Sequence, residues 1–196
     1  RPEQTKVISL ALEDSWFESK TNQTIARKTW DLPEKALIVG LFGRIDALKG
    51  HADLLHAIAE PNAADWHALI IGENTPNARG VDQLEALKKR AIELNIANRI
   101  HWKPPSENLQ SAYDCCDAYA MCSNSETFGM VTIEAMARRV PVVGTDAGGT
   151  PELLGNGSKG QLYRAGNHKQ LASSLENREK WPLPTSEQLA QFQRSV

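Results

Sequence analysis

Short apolar runs alternate with amphipathic segments along most of this chain of 196 residues. Residues 37–42, LIVGLF, form a continuous apolar run, which is typical of a strand covered on both faces. Residues 49–59 follow, with Leu54, Leu55 and Ile58 at helical spacing. Further predicted strands lie at residues 66–71, 99–102, 118–122, 140–143 and 161–163, and further predicted helices at residues 81–94, 108–113, 130–139 and 168–175. The alternation predicts an α/β fold, a doubly wound parallel sheet of about six strands with helices on both faces.

The regular pattern also sets the predicted domain boundaries, because a chain of this length would normally form one domain. Residues 37–178 are predicted to form that domain, after a lead-in segment at residues 1–36 and before a C-terminal tail at residues 179–196. Within these flanking segments we predict a strand at residues 6–12 and helices at residues 22–30 and 186–196.

The charge balance and the cysteines exclude several classes of protein. The net charge of −2 and the pI of about 6.2 argue against nucleic acid or an anionic membrane as a main partner. No apolar run approaches the ~20 residues of a membrane span, and no secretion signal is visible, so a cytoplasmic location is expected. Cys115, Cys116 and Cys122 suit neither a disulfide framework nor a zinc site, and are expected as buried thiols.

In a parallel sheet of this kind ligands bind beyond the carboxyl ends of the strands, at the switch in strand order. The loop GRIDALKG follows the first predicted strand, and Gly43 lets its backbone turn sharply. Arg44 and Lys49 would suit a diphosphate, the first by its planar fork and the second as a point charge. They could equally be two solvated surface cations.

The stretch SNSETFGMVTIEAMARRVPVVGTDAGGTPELL, residues 123–154, carries two glutamates that are costly to bury without hydrogen bonds. Glu126 lies in a turn before a predicted helix, where it could accept from sugar hydroxyls, and Glu134 lies one turn into that helix, where it could reach a ribose. Gly129 and the free amides at the helix start offer a phosphate site. Alternatively, Glu126 caps the helix and Glu134 pairs with Arg138.

Other loops are less informative. The Gly148-Gly149 pair can open its backbone to a ligand, and Trp102, at a strand end, could stack on a base or simply belong to the core. The loop from Gly72, with Asn74, Asn77 and Arg79, is not diagnostic. The five histidines show no metal-binding spacing, so no metal is proposed, and no G-x-G-x-x-G or P-loop occurs.

Taken together, GRIDALKG, SETFGMVTIEAMA with its E-x7-E spacing, and VPVVGTDAGGTPEL resemble the retaining glycosyltransferases of family 4, in which two Rossmann-like domains form the type B fold. The match, over residues 37–175, is to the C-terminal, nucleotide-sugar-binding domain. The resemblance implies a Rossmann-like fold, a UDP-, GDP- or ADP-sugar as the donor substrate, and no metal or other cofactor.

The resemblance also assigns roles to individual residues. It implies that Arg44 and Lys49 hold the donor diphosphate, that Glu126 contacts the donor sugar and that Glu134 binds the ribose. These roles would make Arg44, Lys49 and Glu126 the catalytic set. The expected donor-binding set also includes Gly43, the backbone amides of Phe128, Gly129, Met130 and Val131, and a base pocket lined by the backbone of Trp102 and Lys103.

The sequence departs from the family pattern at two positions. Pro104-Pro105 stands where a glycine is common, and the lead-in lacks the usual Asn-Gly. An N-terminal acceptor domain is expected to precede Arg1 in a longer parent, and any membrane association would come through it. The parent is expected to transfer a hexose to an acceptor hydroxyl with retention, in glycan or glycolipid biosynthesis, whereas this chain alone is expected to bind the donor without efficient transfer. The open alternatives are a nucleotide-sugar epimerase or hydrolase of the same fold and a non-catalytic nucleotide-binding module.

Overall fold

A single sheet of six parallel strands forms the centre of the protein, in the order β3-β2-β1-β4-β5-β6. The computed structural model describes residues 11–18, 20–74 and 82–193. The strands are β1 (Leu37–Phe42), β2 (Trp66–Ile71), β3 (Ile100–Lys103), β4 (Ala118–Met121), β5 (Val142–Thr145) and β6 (Gln161–Tyr163). Each neighbouring pair is parallel, which confirms the predicted doubly wound α/β fold. Because β1 lies between β2 and β4, the strand order reverses between β1 and β4.

Helices connect the strands and cover both faces of the sheet. They are α1 (Gln23–Thr29), α2 (His51–Ala59), α3 (Gln83–Glu93), α4 (Leu109–Asp114), α5 (Met130–Ala137), α6 (Thr150–Leu153), α7 (His168–Glu176) and α8 (Ser186–Ala190). Helix α3 begins with an Asp82 cap, and the predicted start at Val81 lies outside the described residues. Helix α8 is shorter than the predicted 186–196: it ends at Ala190, and the backbone at Gln193 forms a bridge with Leu12. Residues 194–196 of that prediction lie outside the described part of the chain.

Three strands differ from the prediction, of which β4 ends one residue early, at Met121. Strand β3 is shifted by one residue, and β5 begins at Val142 and not at Val140. The reason for the second shift is local: Arg139 has a φ of 54° where α5 ends, and the amide of Val140 donates back to Ala135. Pro141 has no amide to donate, although its carbonyl accepts from the amide of Tyr119, and the paired residues of β5 begin at Val142. Of the strand predicted at residues 6–12, residues 6–10 lie outside the described part of the chain.

Alternation along the strands divides the core into two hydrophobic clusters, one on each face of the sheet. On one face, β-strand residues such as Ile38, Phe42 and Tyr119 pack with Tyr113 of α4 and Ile133 of α5. On the other face, a second cluster combines strands with α2, α3 and α7; it includes Val39, Leu41, Ile70, Ala120, Leu54, Leu55, Ala91 and Leu171. Both faces of the sheet are therefore covered, as the continuous apolar strands predict.

The lead-in segment packs on the face that carries α4 and α5. Arg138 and Asp114, which are 2% and 0% exposed, form a bidentate pair with distances of 2.9 and 2.7 Å. The same guanidinium donates to the carbonyls of Trp16 and Glu18, and Asp114 accepts from the amide of Thr21. This buried network joins the described part of the lead-in segment to the helices that bear the predicted site.

Candidate functional site

The loop after β1 is held against the carboxyl end of β4, at the switch in strand order. Gly43 leaves the strand with a φ of 132°, and a short 3-10 turn, Ala47–Lys49, precedes α2. Gly50 adopts a left-handed conformation with a φ of 67°, and a Cβ there would lie 2.0 Å from the carbonyl oxygen of Cys122. A glycine is required by both observations. The close contact brings Lys49 to a narrow crevice between the ends of β1 and β4.

Lys49 and Glu126 form an ion pair at this crevice. The distance from Lys49 Nζ to Glu126 Oε2 is 2.7 Å, with 24% and 15% of the two side chains exposed. The Ser123 hydroxyl lies 3.4 Å from the same carboxylate oxygen. The helix that follows has Gly129 as its N-cap and no side-chain cap, so the alternative in which Glu126 caps it is wrong. The alternative of a solvated surface cation is also wrong for Lys49.

Arg44 behaves differently from Lys49. Its side chain is 65% exposed, and its ion pair with Asp46 is long, at 3.7 Å. It nevertheless lines a cavity of about 290 Å³ together with Gly43, Glu73 and Glu134. Arg44 therefore lies at the rim of this cavity, next to the crevice, where its guanidinium remains available to an anionic ligand.

The glycine pair Gly148-Gly149 supports the turn that carries Glu126. The amide of Gly149 donates to the carbonyl of Glu126 at 2.7 Å. A Cβ at Gly148 would lie 2.4 Å from that carbonyl oxygen, and one at Gly149 would lie 2.5 Å from the carbonyl oxygen of Thr127. We expected this backbone to open towards a ligand, whereas the structure uses both glycines for close packing of two loops.

The start of α5 presents backbone amides beside the ion pair. Gly129 has a left-handed φ of 75°, and a Cβ there would contact Glu126 Cγ at 3.3 Å. The side chains of Phe128, Met130 and Val131 pack against the core. Among the described residues, the four amides of residues 128–131 make no hydrogen bond. They can therefore donate to an anion, as predicted for the amino end of a helix.

Glu134 lines the same cavity as Arg44 and accepts a hydrogen bond from Tyr113. The hydroxyl of Tyr113 donates to Glu134 Oε2 at 2.8 Å and lies 3.1 Å from the carbonyl oxygen of Val131. Burial raises the pKa of the Glu134 carboxyl, and the Tyr113 hydrogen bond acts in the opposite direction. The buried partner of Arg138 is Asp114, so the alternative pairing of Glu134 with Arg138 is not what holds this carboxylate.

Trp102 and Lys103 line a second cavity, of about 410 Å³, next to the first. The two cavities share Gly72, Glu73 and Pro105. Trp102 is half-buried and packs at the edge of the core cluster on the face opposite Glu134. The core interpretation therefore describes the indole better than stacking in the Glu134 cavity, and the Lys103 ammonium lies 3.9 Å from Asp31.

Comparison with known proteins shows which family this chain resembles. Residues 22–195 match the sequence profile of the glycosyl transferases group 1. The chain belongs to this family. The D-inositol 3-phosphate glycosyltransferase of Mycolicibacterium smegmatis is 35% identical over 174 residues, which cover 85% of this chain and 39% of that protein. The enzyme of the same description from Stackebrandtia nassauensis is 32% identical over 158 residues, 77% of this chain and 35% of its own length.

Solved glycosyltransferase structures share the fold. The Anabaena HepE structure in complex with UDP and glucose has a TM-score of 0.82 and 26% identity, and it covers 98% of this chain and 50% of its own. The C-terminal domain of a glycosyl transferase group 1 protein, LpcC of Francisella tularensis, has a TM-score of 0.74 and 26% identity, with 93% and 92% covered. The chain thus spans between a third and two fifths of the curated relatives described above, and matches one crystallised domain almost completely.

Two further features are absent from the described part of this glycosyltransferase domain. No group of three or more histidine, cysteine, aspartate or glutamate side chains there could hold a metal ion. None of the helices there has the length and hydropathy needed to cross a bilayer.

Tyr113 is the contributor to the site that the sequence pattern did not indicate. It lies 21 residues before Glu134, beyond the reach of any helical spacing. The available signal was chemical, because a buried tyrosine hydroxyl normally needs a partner.

Proposed function

We propose that this chain is the donor-binding domain of a retaining glycosyltransferase, which transfers a hexose-type sugar from a nucleoside diphosphate to an acceptor hydroxyl. The observation that carries the proposal is the Lys49–Glu126 ion pair at the switch in strand order, followed by the free amides of residues 128–131, with Val131 and Glu134 lining the cavity that also holds Arg44. This arrangement combines cations and amides for a diphosphate with carboxylates for hydroxyl groups. UDP is the favoured nucleotide, because the similar HepE structure holds UDP and glucose.

The proposed chemistry follows from where charge develops. Cleavage of the bond between sugar and diphosphate leaves additional negative charge on the departing phosphate. Lys49 and the amides at the start of α5 are held in place and would stabilise this charge without reorganisation, and the exposed Arg44 guanidinium would add a further cation. Glu126 would accept from the sugar hydroxyls and Glu134 from the ribose, and both contacts would hold the donor in place.

We further propose that this domain acts with an acceptor-binding domain in a longer protein. The curated relatives are more than twice as long as the region they share with this chain. Since catalysis needs an acceptor beside the donor, this chain alone should bind nucleotide with little or no sugar transfer. Its role in cell-envelope glycan or glycolipid synthesis and its cytoplasmic location are parts of the same proposal.

A thermal-unfolding panel with UDP, GDP, ADP and their sugar conjugates tests the donor site. A ligand at 100 times its dissociation constant should stabilise the chain by about 2.7 kcal/mol. Lys49→Ala and Arg44→Ala should each weaken binding of the responding diphosphate, by roughly tenfold for a lost charge-assisted contact. Lys180→Ala is a matched control, because this exposed lysine bonds to Asn177 away from the site.

The outcomes separate the proposal from its alternatives. No response to any nucleotide would refute the donor-domain proposal. Equal binding by wild type and the Lys49→Ala and Arg44→Ala variants would indicate a nucleotide-binding module without a working donor site. Release of free sugar or an epimer without acceptor would indicate the hydrolase or epimerase alternative.

A further inference from the structure

We propose that Tyr113 is a positioning residue of the donor site, which acts through Glu134 by fixing its carboxylate for the ribose hydroxyls. The inference rests on the proposed function, since it assigns to a second residue a part in the same nucleotide site. Tyr113 belongs to α4, and Glu134 to α5. The hydrogen bond between them therefore joins two helices at the wall of the cavity that Glu134 lines.

The hydroxyl of Tyr113 is directed at the carboxylate. The tyrosine is fully buried, and its oxygen lies 2.8 Å from Glu134 Oε2 and 3.1 Å from the Val131 carbonyl. A hydroxyl has one proton to donate, and the ionised carboxylate is the closer and stronger acceptor. Among the described residues no hydrogen bond reaches Glu134 Oε1, which leaves that oxygen for a ligand.

The ring of Tyr113 is held rigidly by other aromatic side chains. It packs edge-on against Phe42, with centroids 4.7 Å apart, and against Trp16 at 5.8 Å. Tyr119 lies at 5.4 Å. Phe42 is the last residue of β1 and lines the same cavity as Glu134. The Tyr113 ring, whose hydroxyl donates to Glu134, is thus fixed by packing. Such packing is the condition for precise orientation of a ligand-binding group.

The local electrostatics give the hydrogen bond a second effect. Burial favours the neutral form of Glu134, whereas the Tyr113 hydroxyl favours the carboxylate. Burial also raises the pKa of Tyr113 itself, so the phenol remains a neutral donor. The charged groups that face the same cavity are Arg44 and Glu73, on the loops after β1 and β2. Removing the hydroxyl should therefore both loosen Glu134 and raise its pKa.

Comparing a nucleotide with its 2′,3′-dideoxy analogue distinguishes a positioning role of Tyr113 from a role in folding. Only the natural ribose carries the hydroxyls that Glu134 is proposed to bind. The probes are whichever of UDP, GDP and ADP binds wild type best, and its 2′,3′-dideoxy analogue, measured by calorimetry. Wild type should prefer the natural nucleotide by about tenfold, because the analogue has no ribose hydroxyl to donate to the Glu134 carboxylate. Tyr113→Phe should reduce this preference to about twofold and leave affinity for the dideoxy analogue within about twofold of wild type.

A double-mutant cycle and a matched control complete the test. In a Glu134→Ala background, Tyr113→Phe should cause no further loss of nucleotide affinity. Tyr163→Phe removes another buried phenol, in the core cluster on the other face, and should keep the tenfold preference. As the pH falls, protonation of Glu134 should weaken nucleotide binding. The pH at which this weakening begins should be higher in Tyr113→Phe than in wild type, and unchanged in Tyr163→Phe.

Each result decides the question. An equal loss of affinity for both nucleotides in Tyr113→Phe, or an additional loss in the Glu134→Ala background, would show a merely structural role. A retained tenfold preference would also overturn the inference. Failure of wild type to bind any of the three diphosphates is a different result, which would refute the proposed donor site and this inference with it.

Discussion

Replacing Gly149 with alanine should separate two loops and misplace Glu126 while leaving the rest of the site intact. The added methyl carbon would lie 2.5 Å from the Thr127 carbonyl oxygen, whereas real contacts of this kind essentially never fall below 3.0 Å. Both neighbours are backbone, so the loops must part by about 0.5 Å. The hydrogen bond from Gly149 to the Glu126 carbonyl, 2.7 Å long, would lengthen as they do.

The size of the effect follows from the local backbone. Gly149 has a φ of −82°, which alanine adopts without strain, so the cost is steric. Overpacking of this kind destabilises a protein by about 1–3 kcal/mol. Because Glu126 moves relative to Lys49 and the α5 amides, contacts to a donor sugar should suffer more than contacts to the diphosphate. We expect the variant to bind UDP within about threefold of wild type and UDP-glucose about tenfold more weakly.

Urea unfolding and calorimetry with UDP and UDP-glucose measure the two effects separately. Gly160→Ala is the matched control, because its methyl carbon would lie 2.8 Å from the Val142 carbonyl at a position outside the proposed site. It should lose comparable stability and keep the affinity of wild type for both ligands. The reasoning would be refuted if Gly149→Ala were as stable as wild type, or if it weakened UDP and UDP-glucose equally.

Two further predictions concern stability. Asp114→Ala should destabilise the chain by about 3–5 kcal/mol in urea unfolding, because it removes a carboxylate partner from the buried Arg138 guanidinium. The control Glu85→Ala breaks an exposed pair with Lys88 and should cost under about 1 kcal/mol. Equal losses of stability in the two variants would contradict this prediction. His51 is 2% exposed, and burial lowers its pKa to about 4, so the unfolded chain takes up this proton first as the pH falls below 6.5. Between pH 7 and pH 4.5 wild type should therefore lose roughly 2–3 kcal/mol more stability than His51→Leu, and parallel pH profiles would refute this account.

The sequence predicted those parts of the fold that depend on local periodicity. Strands β2 and β6 have the predicted bounds, and α7 differs from its prediction by one residue. The pattern that predicts each of these elements lies in residues close together in the sequence: an apolar run for a strand and an apolar stripe for a helix. Where the prediction failed, as at the start of β5, the deciding features were a left-handed Arg139 and a proline at position 141, which end one element before the next begins.

The positions of the site residues were predictable for a different reason. The rule that ligands bind beyond the carboxyl ends of parallel strands selected the loops that carry Lys49 and Glu126. The rule does not give their partners. Lys49 contacts a residue 77 positions away, and Tyr113 reaches Glu134 across 21 positions. Such contacts depend on how α4 and α5 are packed against the sheet, which periodicity does not encode.

The partners change how the proposed site should be understood. Lys49 and Glu126 compensate each other's charge before any donor is present, which reduces the cost of holding both groups in a partly buried crevice. Lysine carries three donors, so Lys49 can keep its bond to Glu126 while it donates to a phosphate oxygen. Gly149 fixes the backbone of Glu126, and Tyr113 fixes the side chain of Glu134. Each predicted carboxylate is thus oriented by a residue to which the sequence assigns no contact with the donor, and the specificity of the site for its sugar should depend on Gly149 and Tyr113 as much as on the carboxylates themselves.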